Sequence, residues 1–356
     1  MIVFQTVAVA LAMFSALPVP QFDWNEKNMR YALCAFPLVG VICGALWCLC
    51  GALPLPDAAQ TAGFCLIPVW VTGGIHLDGY ADTCDALASY GDTAKKLAIL
   101  KDPHCGAFAV IRLCSYFAAY LMLCACVQFT PRTGALWTLA LMGERMLSGL
   151  AVAAFPLAKN TGLAHTFATA ADRRTVCRVL AAGCLVWAVG ILALGGWALL
   201  LAAGLVFAWY HRVAVRQFGG TTGDLAGWFL QKCELWMLAA LAASQWLGVL
   251  EMLFITGPLY SGKRTFAAQF GGRQIYEVQD RAAEMAGLQA LADELAAYDV
   301  VTATEVGGGI VPIDAAERAR REAAGRLACL LAARADCVVQ MFCGLPTILK
   351  GELPKC

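Results

Sequence analysis

Charge is what this sequence has least of. Only 14% of its 356 residues are Asp, Glu, Lys or Arg, and 60% are hydrophobic. A soluble domain carries about 25% charged residues, so a soluble protein of this size is excluded and lipid is expected to be the main solvent. The formal net charge of +1 says little about partners, because a near-zero sum hides local asymmetry; no nucleic-acid partner is expected. Cysteine is plentiful, with 17 residues, but the paired spacing of a zinc site or a secreted disulfide framework is missing. Cys34, Cys43, Cys48, Cys65, Cys114 and Cys184 sit singly in apolar runs, which excludes a zinc site or a secreted disulfide framework and fits small hydrophobes in a reducing compartment. A cleavable leader is missing too: Met1 to Leu17 has no basic start and runs into Leu17-Pro-Val-Pro20, so it reads as a retained membrane segment. There is no internal repeat and no low-complexity linker.

What is present is a series of apolar runs. A membrane helix needs about 20 apolar residues, and helices satisfy their own backbone hydrogen bonds in lipid. Residues 31–50, 61–75, 107–127, 134–155, 176–194 and 197–210 qualify or nearly do, while 1–17 and 235–250 are short. The expected fold is an all-α polytopic membrane protein of about six to eight membrane helices, followed by a small α/β domain. Lys27/Arg30, Lys95/Lys96/Lys101, Lys159/Arg173/Arg174/Arg178 and Arg212/Arg216/Lys232 fall on one face if the good runs all span. By the positive-inside rule that face is cytoplasmic, and 235–250 is then expected not to cross fully. Residues 1–250 form the membrane domain and 251–356 the second domain, with strands expected at 252–256, 299–304 and 337–342 and helices at 281–297 and 313–334.

The acidic residues cluster on the basic face. In Thr72-Gly-Gly-Ile-His-Leu-Asp-Gly-Tyr-Ala-Asp-Thr-Cys-Asp85, the residues Asp78, Asp82 and Asp85 are spaced four and three apart, so a helix would carry them as one negative stripe. Like charges at this spacing cost about 0.2–0.5 kcal/mol per pair even in an exposed helix, so a compensating cation is expected. Hard oxygen ligands suit Mg²⁺, which completes its shell with water and substrate phosphate oxygens, and the stripe therefore suggests a metal-bound diphosphate. His76 adjoins it. Lys101-Asp-Pro-His-Cys-Gly106 offers Asp102 as a further ligand and His104 as a phosphate partner or proton carrier; a plain Asp-Pro turn is the alternative. Phe218-Gly-Gly-Thr-Thr-Gly-Asp224 offers N–H groups, the hydroxyls of Thr221 and Thr222, and the Asp224 carboxylate, a set suited to phosphate or metal. Glu234, opening the next apolar run, is either a ligand or an interface marker.

These three sets in this order, preceded by Leu17-Pro-Val-Pro20 and Phe36-Pro-Leu-Val-Gly40, resemble the cobalamin synthase (adenosylcobinamide-GDP ribazoletransferase) family over roughly residues 1–250. Arg145 within a membrane run, Gly162-Leu163 and Gly219-Gly-Thr-Thr-Gly-Asp224 agree with it, whereas Ala16 and Ala86 depart from the family's usual Arg and Gly. The resemblance implies a multi-pass enzyme of the cytoplasmic (inner) membrane. Its implied substrates are adenosylcobinamide-GDP and α-ribazole or its 5′-phosphate, and its products adenosylcobalamin (or its phosphate) and GMP. Mg²⁺ on Asp78, Asp82 and Asp85 would neutralise the diphosphate, and one of these carboxylates or His76 would take the proton from the attacking hydroxyl. Arg145 is a candidate phosphate clamp.

After residue 251, Gly257-Pro-Leu-Tyr-Ser-Gly-Lys263 has the spacing of a phosphate-binding loop, with Gly257, Gly262 and Lys263 as candidate nucleotide contacts. The usual Mg²⁺ hydroxyl position is Arg264, and Thr265 comes one residue late. Glu305-Val-Gly-Gly-Gly-Ile-Val-Pro312, Ala324-Gly-Arg326, Ala335-Asp336 and Gly344-Leu-Pro346 resemble the adenosylcobinamide kinase/adenosylcobinamide-phosphate guanylyltransferase family. The chain's four histidines end at His211, so no guanylyl-histidine can form in this domain. The expected role is nucleotide binding, docking of another enzyme of cobalamin assembly, or folding support. A different class, an ion-coupled membrane transporter with an acidic cation site, is the alternative for the whole chain; the acids lie in loops of one face rather than in broken helices, which counts against it.

Overall fold

The computed structural model describes residues 2–158, 163–247, 252–282, 287–308, 311–351 and 353. The chain divides into two compact units, Met1–Phe129 with Thr133–Ala243, and Ser244–Cys356 with Thr130–Arg132. That puts the division a few residues before the expected one at 250/251.

The first unit is helical. Its elements are α1 (Ile2–Phe14), the short α2 (Glu26–Met29) and α3 (Ala32–Ala35), α4 (Pro37–Ala52), α5 (Asp57–Thr72), α6 (Ile75–Ala88), α7 (Thr93–Ile99) and α8 (Ala107–Cys126). Then come α9 (Pro131–Ala154), α10 (Leu163–Ala170), α11 (Arg173–Ala193), α12 (Trp197–Phe218) and α13 (Gly223–Trp246). Among the described residues, α8, α11 and α12 are each long and apolar enough to cross a membrane. The segment ending in α4 and the α5–α6 pair, bent by 43° and 91°, raise the candidates to 5 if each bent pair is one span. By length and composition, the described residues therefore do not confirm the expected six to eight membrane helices. In particular, 134–155 lies in α9, which carries Arg132, Glu144 and Arg145. The short run 235–250 is the second half of α13 as far as Leu247, and 248–250 lie outside the described residues. All described cysteines are free, with Cys43, Cys50, Cys65, Cys84, Cys124 and Cys233 buried as small hydrophobes.

Small residues let these helices approach. Gly40 and Gly44, one turn apart on α4, face α9 so closely that a Cβ on Gly40 would sit 2.2 Å from the Leu141 carbonyl oxygen. This is the close crossing that small residues permit in lipid, where helices gain association energy from packing rather than from water exclusion.

The second unit is a five-stranded sheet in the order β2-β3-β1-β4-β5, with β1 (Leu253–Gly257), β2 (Gln274–Ile275), β3 (Val300–Thr304), β4 (Cys337–Phe342) and β5 (Leu345–Lys350). All pairs are parallel except β4–β5. Helices α14 (Lys263–Ala267), α15 (Leu288–Leu295) and α16 (Ala315–Arg334) complete it, and separate apolar clusters form around Phe254/Leu327/Val338 and Ile255/Phe270/Val339. β1, β3, β4 and α16 lie where the sequence places them. The expected helix 281–297 is shorter, because Val278–Arg281 forms a 3-10 turn and 283–286 lie outside the described residues. β5 escaped notice because it is exposed along its whole length and contains Pro346, which only an edge strand tolerates.

Candidate active site

The site begins at a break. Gly73 and Gly74 both adopt left-handed backbone, with φ of +64° and +81°, which a residue with a Cβ takes only at a cost. They end α5 and start α6 at 91° to it. The acidic motif is therefore helical rather than a loop, and Asp78 falls in the first turn of α6, where the helix dipole favours a negative charge.

A second helix start meets it. The Thr222 hydroxyl accepts the Leu225 N–H at 3.2 Å and so caps α13, placing Asp224 in that helix's first turn. Glycines bring the two helices together. A Cβ on Gly79 would lie 2.8 Å from Asp224 Cα, and one on Gly227 would lie 2.9 Å from the His76 carbonyl oxygen. The crossing of α6 and α13 is thus a backbone-to-backbone contact, and it puts Asp78, Asp224, Thr221 and Thr222 on the wall of one cavity of about 370 Å³. The Thr221 hydroxyl pairs with Tyr210 Oη at 2.5 Å, and Thr222 Oγ1 lies 3.4 Å from Asp224 Oδ2.

Part of the cavity wall is apolar and aromatic, formed by Phe14, Phe36 and Phe167 among others. Phe14 packs on Phe36 with ring centroids 4.3 Å apart and on Phe167 at 5.4 Å. His76 is also on the wall, is only 6% exposed, and neither of its ring nitrogens has a hydrogen-bond partner in the protein. Leaving such a group buried and unpaired costs about 1–3 kcal/mol, so its partner is expected to come from a ligand.

The aspartate stripe does not act as one set. Asp85 accepts the Gly106 N–H on Oδ2 at 2.6 Å and the Ala109 N–H on Oδ1 at 2.8 Å, so it caps α8 from the neighbouring helix. Asp82 is half-buried one turn beyond Asp78, and neither Asp82 nor Asp85 lines the cavity. Asp102 is exposed and turned on its own loop: its Oδ1 accepts the His104 N–H at 3.0 Å and lies 2.7 Å from His104 Nδ1. Those two bonds, the backbone one first, hold the Asp102 carboxyl below its ordinary value. Among the described residues no group of three or more His, Cys, Asp or Glu side chains converges as a metal site. Asp78, Asp82, Asp85, Asp102 and Asp224, expected to share one cation, are thus not gathered at one place, and of the five only Asp78 and Asp224 line the cavity. That set still fits Mg²⁺, which is commonly held by one or two carboxylates with water and substrate phosphate filling the remaining positions.

Arg145 also has a different setting from a phosphate clamp. It is 1% exposed, donates to Glu144 Oε1 at 2.6 Å and to the Leu141 carbonyl at 2.8 Å, and is not on the wall of the large cavity. Nearby, Tyr120 Oη donates to Glu234 Oε1 at 2.6 Å, and both Arg145 and Glu234 line a small buried pocket with Tyr116 and Gln231. Glu144 and Tyr120 were not singled out from the sequence. The signal was available in Glu144-Arg145, a fully buried pair of opposite charges inside an otherwise apolar run.

In the second unit, Gly257 and Gly262 have φ of +148° and +92°, and the loop between them turns at Tyr260, φ +60°. Lys263 is buried and donates to the Pro258 carbonyl at 2.8 Å, and burial lowers its ammonium from its ordinary value. Thr265 is exposed on α14.

Residues 6–242 match the family model described as cobalamin-5-phosphate synthase, and residues 272–349 match the one described as cobinamide kinase / cobinamide phosphate guanyltransferase. The second match begins after the Gly257–Lys263 loop. The adenosylcobinamide-GDP ribazoletransferase of Lachnoclostridium phytofermentans is 41% identical over 237 residues, covering 64% of this chain and 89% of that protein. Its counterpart from Pseudomonas putida strain W619 is 36% identical over 244 residues, 66% of this chain and 97% of that one. That of Clostridium botulinum is 28% identical over 239 residues, 65% and 94%.

Proposed function

The chain belongs to the cobalamin-5-phosphate synthase family, and from that membership we infer that it is an adenosylcobinamide-GDP ribazoletransferase. In that reaction a ribose hydroxyl oxygen that is free in both α-ribazole and its 5′-phosphate, and so not the 5′ oxygen, forms a bond to the cobinamide-side phosphorus of adenosylcobinamide-GDP. The bond from that phosphorus to the bridging oxygen breaks, GMP leaves with the bridging oxygen, and the hydroxyl proton passes to a base on the protein. The observation that carries the reading is the pairing of Asp78 and Asp224 at one cavity, on the two motifs of the matched region.

We propose Mg²⁺ as the cofactor, held by Asp78 and Asp224; when bound, it supplies charge neutralisation for the diphosphate and the departing GMP. The residues of the chain do the rest. Asp78 and Asp224 fix where the diphosphate rests, the Gly79 and Gly227 contact fixes their separation, and the apolar wall excludes water that would compete with the ribazole hydroxyl. His76 or Asp78 is the base, each being on the wall of the cavity.

The unit belongs in the cytoplasmic membrane with this cavity facing the cytoplasm. Supporting this, the basic residues of the loops gather on one face by the positive-inside rule, and two of them tie separate segments together: Arg30 pairs with Asp172 at 3.3 Å and Lys96 donates to Gln217. The test is GMP release from adenosylcobinamide-GDP in membranes containing the protein, with and without α-ribazole and with and without Mg²⁺. Release that needs both supports the reading, and release indifferent to α-ribazole overturns it.

A further inference from the structure

We propose that the aromatic part of the wall of the Asp78/Asp224 cavity is the acceptor subsite, where the flat bicyclic base of α-ribazole packs against Phe14, Phe36 and Phe167 and a hydrogen bond to His76 fixes the nucleoside. The proposal rests on the transferase reading and assigns one of its two substrates to a place.

Size makes the first distinction. A cavity of about 370 Å³ is at the lower end of the range for drug-sized ligands, about 300–1,000 Å³. It accommodates a bicyclic base with its ribose, whereas a corrin macrocycle with its amide side chains is far too large. The corrinoid must therefore stay outside and present only its diphosphate to the carboxylates.

Surface chemistry makes the second. The Phe14 ring packs on both Phe36, at 4.3 Å, and Phe167, at 5.4 Å, and the His76 ring meets Phe36 edge-on at 5.8 Å. Tilted and edge-to-face rings of this kind offer faces and edges against which a planar aromatic ligand packs. A guanine base would demand several buried donors and acceptors, and besides the Asp78 and Asp224 carboxylates and the Thr221 and Thr222 hydroxyls assigned to the diphosphate end, the polar side chains of the wall are the imidazole of His76 and the hydroxyl of Ser148. A dimethyl-substituted benzimidazole, with its methyl groups and one free ring nitrogen, asks for less.

His76 supplies the third and independent observation. Its ring is more than nine-tenths buried and both nitrogens lack a partner in the protein. A neutral imidazole carries one donor and one acceptor, which the base nitrogen and a ribose hydroxyl of one bound nucleoside can satisfy. His76, Asp78 and Asp224 line one cavity, so a nucleoside held by His76 presents its ribose toward the space the carboxylates share.

The experiment measures KM for each substrate separately in the full-length protein, comparing wild type with Phe167→Leu and the cavity-filling Val152→Phe. The expected result is a rise in KM for α-ribazole of about tenfold or more, the range a changed side chain gives in an apolar pocket, with KM for adenosylcobinamide-GDP within twofold. Val152→Phe should also favour a riboside with a single-ring base over the dimethylbenzimidazole one, relative to wild type. A KM change on the corrinoid substrate alone, or on neither, overturns the assignment. A second measurement needs no variant: a riboside with an azide on its benzimidazole ring, photolysed on wild-type protein, should label peptides carrying Phe14, Phe36 or Phe167, and labelling elsewhere overturns the assignment. Wild type that releases no GMP from adenosylcobinamide-GDP in the presence of α-ribazole would instead refute the transferase reading itself.

Discussion

Gly79→Ala tests whether the helix crossing sets the geometry of the reaction. The added Cβ would lie 2.8 Å from Asp224 Cα and 2.9 Å from the Asp224 carbonyl oxygen, both backbone atoms that cannot swing away. Carbon atoms rest at about 3.5–4.0 Å, so α6 and α13 must part by roughly 0.7 Å or more at the level of the two carboxylates. Overpacking of this size costs about 1–3 kcal/mol of stability, which a folded membrane bundle survives. The catalytic effect is larger: a misplacement near 1 Å costs about 100-fold, so the initial rate of GMP release should fall by roughly one to two orders of magnitude. Gly204→Ala is the control, because a Cβ there has nothing within 4 Å and sits in the interior of α12. It should turn over like wild type and be slightly more stable, as Ala favours helix over Gly by about 1 kcal/mol. The assay is GMP release by detergent-purified protein, with thermal melting and size-exclusion profiles alongside. Turnover of Gly79→Ala within twofold of wild type would refute the reasoning.

Asp85→Asn should act on stability rather than chemistry, lowering the melting temperature by an amount corresponding to about 1 kcal/mol through the weakened cap of α8. A loss of kcat above 100-fold with unchanged melting would return Asp85 to the reaction centre. Arg145→Met leaves Glu144 and Glu234 buried without their neighbouring cation and should destabilise the protein by about 3–5 kcal/mol, read as loss of monodisperse protein in detergent. An Arg145→Met protein as stable as wild type, with a raised KM for adenosylcobinamide-GDP, would show that Arg145 meets substrate after all. Lys263→Ala, in the second unit, should leave ribazole-dependent GMP release within twofold of wild type, and a tenfold loss would tie that unit to the transferase reaction.

The helical architecture and the acidic motifs were legible because they are local. Apolar runs of about 20 residues and Asp spacings of four and three report directly on helix geometry, and α8, α11 and α12 follow the runs closely. What the spacing could not report is which face meets which partner. Asp85 looks equivalent to Asp78 in the sequence, yet its partners are N–H groups 21 and 24 residues away, and only packing of α6 on α8 reveals them. The same holds for Tyr120 and Glu234, 114 residues apart. Gly79 reads in the sequence as a feature of the signature, and its reason, contact with the backbone of Asp224, emerges only when α13 is in place. Phe14, Phe36 and Phe167 resemble any other lipid-soluble residues until α1, α10 and the start of α4 bring them to one cavity.

The central claim is that Asp78 and Asp224, on separate helices, together hold the cation on which the diphosphate rests. A Mg²⁺ titration of ribazole-dependent GMP release, run on wild type, Asp78→Asn, Asp224→Asn and Asp85→Asn, addresses it most directly. Both Asp78→Asn and Asp224→Asn should need at least about tenfold more Mg²⁺ for half-maximal rate, or lose turnover altogether, while Asp85→Asn keeps the wild-type requirement. A wild-type Mg²⁺ requirement and rate in Asp78→Asn or Asp224→Asn would contradict the claim.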